Sequence, residues 1–338
     1  MRETVLVTGA SGFVGANLLP LLAARFGEVR CYVRDPTFKT EHGTCVVGTL
    51  DDEAALRHAL RGADAVFHLA ALVSFARRDA AASVAANVDA TRRLAALARG
   101  AGVRRFLHVS SVAAIGYREG PEVIDERAPY NLAQLRIPYC DTKRGAELAV
   151  LAEVERGLDA VIVNPSSMFG PGDRRKAEGS LLDAAVYDRL PFCPPGGANF
   201  ADVRDVVVGC MAAFERGRTG ERYILGAENL TGRQLMENVF GALGKPAPRV
   251  TLPACGVKAM AAVAGAIELV RPLRPPMTAQ ILRMAPRFFW FSSQKAEREL
   301  GYTTRPVRDA LRATYRWLGA CGAIPQAKLP EELRAGEG

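Results

Sequence analysis

The sequence predicts an α/β fold, a doubly wound parallel sheet with a smaller, mainly helical C-terminal substrate lobe. Strand-length apolar runs alternate with amphipathic segments in the first half, and a glycine-rich turn separates the first strand from the first helix. After Asn164 the pattern changes to Gly- and Pro-rich segments and then to helices. Continuous apolar strands separated by helices form parallel sheets covered on both faces, and right-handed crossovers wind such sheets doubly.

Each element follows from a local pattern of apolar residues. The predicted strands are Thr4–Thr8, Val29–Val33, Thr44–Val47, Ala65–Leu69, Phe106–Ser110 and Ala160–Val163. The predicted helices between them are Gly12–Phe26, Asp52–Arg61, Ala82–Gly100 and, approximately, Pro138–Arg156. Together these elements make up the predicted sheet and its covering helices in the first half of the chain.

The second half is predicted to contribute both to the sheet and to a separate lobe. One helix, Glu178–Arg189, interrupts a loop-rich segment, while Asn199–Val206 and Arg222–Leu225 are expected to return to the sheet as its last strands. Helices follow from Thr231, a predicted N-cap. We therefore predict a dinucleotide-binding domain, residues 1–165 plus about 199–226, and a substrate-binding lobe, residues 166–198 plus 227–338.

Composition excludes several classes of protein. The 44 Lys+Arg exceed the 36 Asp+Glu by 8, but the arginines are scattered, and no basic block or stacked-aromatic pattern indicates nucleic-acid binding. The seven cysteines form no C-x-x-C pair, which argues against a disulfide framework or a zinc site. Residues 254–270 are interrupted by Lys258 and Glu268, so we interpret them as a packed helix rather than a membrane span. No leader is visible, and we expect a cytoplasmic protein.

The first chemical motif lies between the first strand and the first helix. Gly9 permits a tight turn, Gly12 allows backbone to approach a pyrophosphate, and Gly15 allows close packing of helix on strand. The helix N-terminus offers free N–H groups and a positive dipole to phosphates. The predicted cofactor contacts here are Thr8, Gly9, Ser11, Gly12, Phe13, Val14 and Gly15.

The end of the second strand predicts which nicotinamide cofactor binds. An acidic side chain at this edge would accept hydrogen bonds from the adenosine ribose and favour NAD(H), whereas the guanidinium of Arg34 offers paired donors to a 2′-phosphate. Lys39 could assist. NADP(H) is therefore preferred, but Asp35 follows directly, and a slip of one residue would favour NAD(H) instead.

The third motif supplies acid–base chemistry. Tyr139 and Lys143 are four residues apart on a predicted helix and share a face. A nearby ammonium favours tyrosinate over a phenol whose unperturbed pKa is about 10. Ser111 follows a parallel strand, which delivers it to the sheet edge where the cofactor would lie. From there Ser111 can donate a hydrogen bond to a substrate carbonyl while Tyr139 gives or takes its proton.

With these motifs the sequence resembles the extended short-chain dehydrogenase/reductase family, part of the NAD-dependent epimerase/dehydratase superfamily with a Rossmann fold, over nearly its whole length. The family's other landmarks occur in order at residues 66–71, 87–88, 108–111, 164–173 and 200–205. Segments 33–36, 220–226 and 292–302 resemble the dihydroflavonol-4-reductase-like branch. The resemblance implies a homodimer formed through the two long helices.

The resemblance also implies further cofactor contacts. Residues after the fourth strand line the cofactor's path, Lys143 contacts the nicotinamide ribose, and the segment after Asn164 passes the nicotinamide. These implied contacts are Leu69, Ala70, Ala71, Asn164, Pro165, Ser167 and Met168. Where the family usually shows Gly-Asp-Leu beside the adenine, this chain has Gly48-Thr49-Leu50. The predicted contacts at Thr49 and Leu50 must then use the Thr49 hydroxyl or the backbone, or the neighbouring Asp51 meets the adenine instead. Val112 lacks the acidity that a dehydratase needs at this position.

These observations predict an NADPH-dependent reductase that transfers hydride to a ketone or aldehyde. The candidate substrate residues are Ser111, Met168, Phe169, Phe192 and Phe289, and aromatic walls suit an apolar dihydroflavonol-, polyketide- or steroid-like molecule. A sugar-nucleotide epimerase, a 3β-hydroxysteroid or sterol-type dehydrogenase, and a non-catalytic NADP-binding regulator are the alternatives. Residues 174–176 could hold a sugar diphosphate or form a solvated charge run. His68 and His108 are interpreted as packing residues, and no metal site is predicted.

Overall fold

The structure is a computed structural model that describes residues 3–173, 180–268, 270, 273 and 278–334. In these ranges the strands are β1 (Thr4–Thr8), β2 (Glu28–Val33), β3 (Thr44–Val47), β4 (Ala65–His68), β5 (Arg105–Val109), β6 (Val123–Ile124), β7 (Ala160–Pro165), β8 (Ser167–Phe169), β9 (Phe192–Cys193), β10 (Gly197–Asp202), β11 (Arg222–Leu225), β12 (Glu228–Thr231), β13 (Val250–Thr251) and β14 (Phe288–Phe291). The helices are α1 (Phe13–Arg25), α2 (Glu53–Leu60), α3 (Ala80–Ser83), α4 (Ala90–Gly100), α5 (Pro138–Val154), α6 (Leu181–Val186), α7 (Val203–Arg216), α8 (Gly232–Ala242), α9 (Ala254–Ile267), α10 (Ala279–Met284), α11 (Gln294–Leu300) and α12 (Val307–Ala320).

The main sheet has seven parallel strands in the order β3-β2-β1-β4-β5-β7-β11. The strand order reverses direction beside β1, and ligands of such sheets bind at the carboxyl ends of the strands near this point. The predicted doubly wound α/β fold is thereby confirmed, including Arg222–Leu225 as an edge strand of the sheet.

Two apolar layers cover the sheet. Val161 and Val163 of β7 face the cluster that contains α1 and α7, whereas Ala160 and Ile162 face the cluster that contains α2, α4 and α5. This alternation follows from the two-residue period of a strand, and it makes both faces of β7 apolar. Between α3 and α4 the chain forms one π-helical segment, Val84–Asp89, so the predicted helix at 82–100 is continuous but locally widened.

The prediction for Asn199–Val206 was wrong. Strand β10 belongs to a second sheet, with the order β12-β10-β14-β6 and β8 also paired to β10. The chain then becomes helical at Val203, because the Asp202 carboxylate caps α7 by accepting a hydrogen bond from the Arg204 N–H at 2.8 Å. The apolar residues of β10 are followed by those in the first turn of α7, and the sequence pattern does not show where the strand ends.

The lobe beyond the main sheet is mainly helical, as predicted. Thr231 caps α8 in a capping box with Gln234, which confirms the predicted helix start. Helix α9 packs on α10 through Val257, Ala261 and Ala264, so the apolar segment starting at residue 254 packs within the lobe. Among the residues that the structure describes, no helix has the length and apolar character that crossing a bilayer requires. The boundaries of the two predicted domains stay a prediction.

Candidate active site

The glycine turn after β1 forms a backbone cradle at the start of α1. Gly9 has φ +74°, and a Cβ there would lie 2.6 Å from the Ala70 nitrogen. At Gly15 an added Cβ would meet the Ala10 carbonyl oxygen at 2.4 Å, so this helix can approach the turn only because position 15 is glycine. Gly12 is different: it is exposed at the N-cap of α1, and the nearest atom to an added Cβ is the Gly9 oxygen at 3.2 Å.

The open space at Gly12 and the N-terminus of α1 fit the pyrophosphate of a dinucleotide. Ser11 is exposed beside this space, whereas the side chains of Phe13 and Val14 pack into or against the apolar core. The last two could reach a cofactor only through their backbone. The Thr8 hydroxyl lies 2.6 Å from His68 Nδ1, so its side chain is engaged within the protein.

The structure separates the two candidate residues at the end of β2. Arg34 directly follows the strand and is exposed. The Asp35 carboxylate instead accepts hydrogen bonds from the Thr37 N–H at 2.8 Å and the Thr37 hydroxyl at 2.6 Å, which hold the pKa of Asp35 below its usual value. Asp35 thus closes its own turn, and the Arg34 side chain is exposed beside it. Lys39 is also exposed.

The turn after β3 has an internal support that the sequence did not predict. Tyr32 donates its hydroxyl to the Thr49 carbonyl at 2.8 Å, and burial raises the pKa of this phenol to about 12, so it remains a donor. A Cβ at Gly48 would lie 2.3 Å from the same hydroxyl, which explains the glycine. Arg93 donates to the Leu50 carbonyl at 2.9 Å. Thr49 is exposed at this edge, beside the turn that follows β2.

The structure brings together the regions that carry Ser111, Tyr139 and Lys143. Lys143 is only 4% exposed, and its Nζ donates to the Val109 carbonyl at 3.1 Å, which ties α5 to the end of β5. Two residues further, half-buried Ser111 caps a short 3₁₀ turn that packs against α5. Tyr139 is half-buried and clusters with Ala113 of that turn. The three residues therefore converge at the carboxyl ends of the central strands.

Burial shapes the charge of Lys143. Desolvation lowers the pKa of its ammonium from 10.5 to about 8, and the Coulombic field of Glu147 opposes this change. A lysine in this range is largely protonated at neutral pH yet close to titrating. Such a group can change the acidity of a neighbouring phenol, which is the property predicted from the Tyr139–Lys143 spacing.

A polar layer lies under this site between the sheet and the helices. His68 bridges Thr8 and Thr91, with Nε2 lying 2.8 Å from the Thr91 hydroxyl, and it stacks on His108 with ring centres 5.3 Å apart. Burial lowers the pKa of His68 to about 3 and that of His108 well below its usual value, so both rings are neutral. Asn87 donates to the Thr142 hydroxyl at 3.0 Å from the π-helical segment. Within the described ranges, no group of three or more His, Cys, Asp or Glu side chains could hold a metal ion.

Tyr139 belongs to a hydrophobic cluster that is rich in aromatic side chains. Its ring centre lies 5.4 Å from that of Phe75, and Phe289 belongs to the same cluster, 5.8 Å from the ring of Tyr117. Met284 completes this aromatic cluster. Of the predicted substrate residues, Phe289 therefore belongs to the same hydrophobic cluster as Tyr139.

The other predicted substrate residues are placed differently. Phe169 is 5% exposed and stacks on Phe200 at 5.5 Å in the core of the lobe, so its ring does not line a pocket at Tyr139. Phe192 lies in β9, paired to β13 rather than near Tyr139. Met168 packs against the core below α1. The charge run at residues 174–176 lies outside the described residues.

The predicted nicotinamide segment follows the end of β7. Asn164 is fully buried and its Nδ2 donates to the Ser111 carbonyl at 2.9 Å. Pro165 is buried, whereas Ser167 is exposed at the start of β8. Leu69, Ala70 and Ala71 lie half-buried after β4, and the Ala70 backbone packs on Gly9. The two segments leave the carboxyl edge of the sheet on either side of β5.

Sequence reasoning missed Phe75, Tyr117 and Met284, because they come from three separate segments that only the tertiary fold brings into one cluster with Tyr139. It also missed Glu147, which is fully buried and accepts a hydrogen bond from Asn164. A signal for Glu147 did exist: residues 139, 143 and 147 repeat every four positions on one face of α5.

Comparison with known proteins agrees with this geometry. Residues 5–226 match the model of the NAD dependent epimerase/dehydratase family. The chain is 32% identical to a putative dihydroflavonol 4-reductase of Synechocystis sp. over 96% of this chain and 97% of that one. It is 33% identical to sterol demethylase protein B of Methylococcus capsulatus over 95% of this chain and 100% of that one.

A solved structure extends the comparison to the whole fold. The crystal structure of gox2253 has a TM-score of 0.82 and 34% sequence identity, and the match covers 95% of this chain and 99% of that one. Such coverage includes both the main sheet and the C-terminal lobe. The chain belongs to the NAD-dependent epimerase/dehydratase family, as an extended short-chain dehydrogenase/reductase of the dihydroflavonol-4-reductase-like branch, and is an NAD(P)-dependent oxidoreductase.

Proposed function

We propose that this protein reduces a ketone or aldehyde of a mainly apolar small molecule, with NADPH as the hydride donor. The observation that carries the proposal is the hydrophobic cluster that Tyr139 shares with Phe75, Met284 and Phe289, in which the Phe75 ring lies directly against that of Tyr139. Aromatic and thioether side chains favour a flat ring system or an acyl chain over the hydroxyl-rich face of a sugar.

The cofactor preference rests on the end of β2. One carboxylate oxygen of Asp35, Oδ1, accepts both hydrogen bonds of the Thr37 turn, while Arg34 is exposed. A guanidinium can donate two parallel hydrogen bonds to a phosphate, so a 2′-phosphate would gain a partner there that a ribose hydroxyl does not need. NADPH is therefore the proposed donor rather than NADH.

The residues of the site divide the acid–base work. When bound, the cofactor supplies a hydride to the carbonyl carbon. Tyr139 donates its phenolic proton to the carbonyl oxygen, which leaves an alcohol and a tyrosinate, and the Ser111 hydroxyl donates a hydrogen bond to the same oxygen. The Lys143 ammonium favours the tyrosinate, and its bond to Val109 holds it at the end of β5.

A second candidate is the reverse reaction on a steroid-like alcohol. It is favoured by the 33% identity to sterol demethylase protein B across nearly the full length of both chains. The same residues would serve, with Tyr139 accepting the alcohol proton. The two candidates share a site and differ in direction and in substrate.

The predicted homodimer and cytoplasmic location belong to this proposal as well. Leu148 of α5 is 51% exposed and Val84, in the segment before α4, is 44% exposed. Exposed apolar side chains on these neighbouring helices support association of two copies through them.

The direct test is NADPH oxidation by the purified protein with a panel of aryl ketones, 3-oxoacyl compounds and steroid ketones. Tyr139→Phe should lower turnover by at least about a hundredfold without weakening NADPH binding, because only the proton donor is lost. Tyr130→Phe is the matched control, since its hydroxyl bonds Asp141 at 2.6 Å in the same aromatic environment, and it should retain turnover. Full turnover by Tyr139→Phe would refute the proposed acid.

A further inference from the structure

The buried carboxylate of Glu147 lies beneath the proposed catalytic residues. Glu147 is 0% exposed and follows Lys143 by one turn of α5 and Tyr139 by two. Its Oε1 accepts a hydrogen bond from Asn164 Nδ2 at 2.5 Å, and its Oε2 lies 3.2 Å from Nη1 of Arg144 and 3.2 Å from Nη1 of Arg222. A carboxylate this deeply buried persists in proteins only with such partners.

One amide group connects this carboxylate to Ser111. Asn164 Nδ2 donates both to Glu147 and to the Ser111 carbonyl, the latter at 2.9 Å. The Ser111 carbonyl is the backbone of the residue whose hydroxyl would meet the substrate. Movement of Glu147 would therefore be transmitted to Ser111 through a single side chain.

The titratable groups near Lys143 come from the main sheet and from α5. The sheet presents His68 and His108, both neutral, while α5 presents Tyr139 and Glu147. Arg144 and Arg222 contact Glu147 from α5 and from β11. Among these groups Glu147 is the one carboxyl group, and it lies one helical turn from Lys143. Its field favours the charged form of the Lys143 ammonium.

We propose that Glu147 is a positioning residue of the reductase: it fixes Ser111 through Asn164 and, one helical turn from Lys143, stabilises the ammonium of that lysine. The expected effect on catalysis rests on the proposed function, whereas the expected effect on the pKa of Lys143 does not. Glu147 acts through its neighbours and does not touch the reacting atoms.

If Glu147 served only to pair with Arg144 and Arg222 and did not act on Lys143, its removal would leave the titration of Lys143 unchanged. The titration of Lys143 is therefore the decisive measurement. Lysine side chains labelled with ¹³C at Cε report the midpoint of each ammonium by NMR, and Lys143→Arg identifies the signal of Lys143. Glu147→Gln keeps an acceptor for Asn164 but removes the charge. It should lower the midpoint of Lys143 by about one pH unit or more, and the alkaline limb of the kcat/KM profile for carbonyl reduction should move in the same direction.

The chain offers a matched control on the same helix. Glu153 is 2% exposed and is paired with Arg99 at 2.8 Å and with Arg156 at 2.7 Å. Glu153→Gln removes an equally buried and doubly paired carboxylate, and it should leave both the Lys143 midpoint and the pH profile unchanged. A general effect of losing a buried charge would instead appear in both variants.

A second variant keeps the test decisive should Glu147→Gln fail to fold. Arg222→Gln removes one of the two cations paired with Glu147. The electrostatic potential at Lys143 then becomes more negative, so the titration midpoint of Lys143 should rise. An unchanged midpoint in a folded Glu147→Gln protein, or in Arg222→Gln, would overturn the inference. If the wild type oxidises no NADPH with any carbonyl compound, the proposed function fails, while the NMR titration still decides the role of Glu147.

Discussion

The buried ammonium of Lys143 should lower the free energy of unfolding of the protein. Its ammonium is buried, and its pKa is lowered from 10.5 to about 8 in the folded protein. One pKa unit corresponds to about 1.4 kcal/mol, so the burial of this charge lowers the free energy of unfolding at neutral pH by about 3 kcal/mol. Replacement by a methionine of similar length removes that cost.

The substitution also removes one favourable contact. Lys143 Nζ donates to the Val109 carbonyl at 3.1 Å, and losing this bond costs about 1 kcal/mol. We therefore expect Lys143→Met to be inactive but more stable than the wild type at pH 7, by about 2 kcal/mol. This corresponds to a rise of a few degrees in the melting temperature of a protein of this size.

The pH dependence provides the refutation. Because the folded state releases this proton at a lower pH than the unfolded chain, the wild type gains stability as pH rises from 8 toward 10.5. The advantage of Lys143→Met should be full below pH 8 and should fade across that window. Melting of the nucleotide-free proteins from pH 6 to 10.5 measures it, with exposed Lys258→Met as the neutral control. A destabilised Lys143→Met protein, or a pH-independent difference, would contradict the reasoning.

Three further predictions concern the cofactor, the turn and the assembly. Arg34→Gln should weaken NADPH binding by at least about tenfold and NADH binding little, as measured by fluorescence titration, because one charge-assisted pair is lost. Gly9→Ala should abolish cofactor binding and lower the melting temperature, since its Cβ would lie 2.6 Å from the Ala70 nitrogen at φ +74°. Leu148→Glu should yield monomers in light scattering, whereas Val208→Glu, at a 54% exposed position of α7, should not change the oligomeric state.

Local patterns predicted the main sheet because its strands are short, apolar and bounded by turns. Strand β1 occupies the predicted residues, and Arg222–Leu225 joins the sheet as expected. The segment at 199–206 failed since its apolar residues continue from β10 into α7, and periodicity cannot show where a chain leaves one sheet. The Asp202 cap was the available signal.

The residues of the candidate site also fall into two groups, those that local patterns predict and those that only the tertiary fold brings together. The glycine turn and the Tyr139–Lys143 pair are local in sequence, so their placement could be predicted from spacing alone. That Phe289 and not Phe169 shares a cluster with Tyr139 could not be predicted, because it depends on β8 pairing with β10 and directing Phe169 onto Phe200. Likewise, Glu147 meets Arg222 across 75 positions of sequence.

The two faces of the main sheet explain why the chemistry lies where it does. On the side of α1 and α7 the sheet is packed by a large apolar cluster, as hydrophobic patterning requires. On the side of α4 and α5 it buries His68, His108, Lys143, Glu147 and Asn164, each of which is 4% exposed or less. Burying polar and charged groups lowers the stability of a protein even when the groups are paired. A layer of such groups on one face of the sheet is therefore expected where the function of the protein requires them. We infer that this layer exists to hold an ammonium close to its titration point beneath Tyr139, and that a chain freed from catalysis would replace it with apolar side chains.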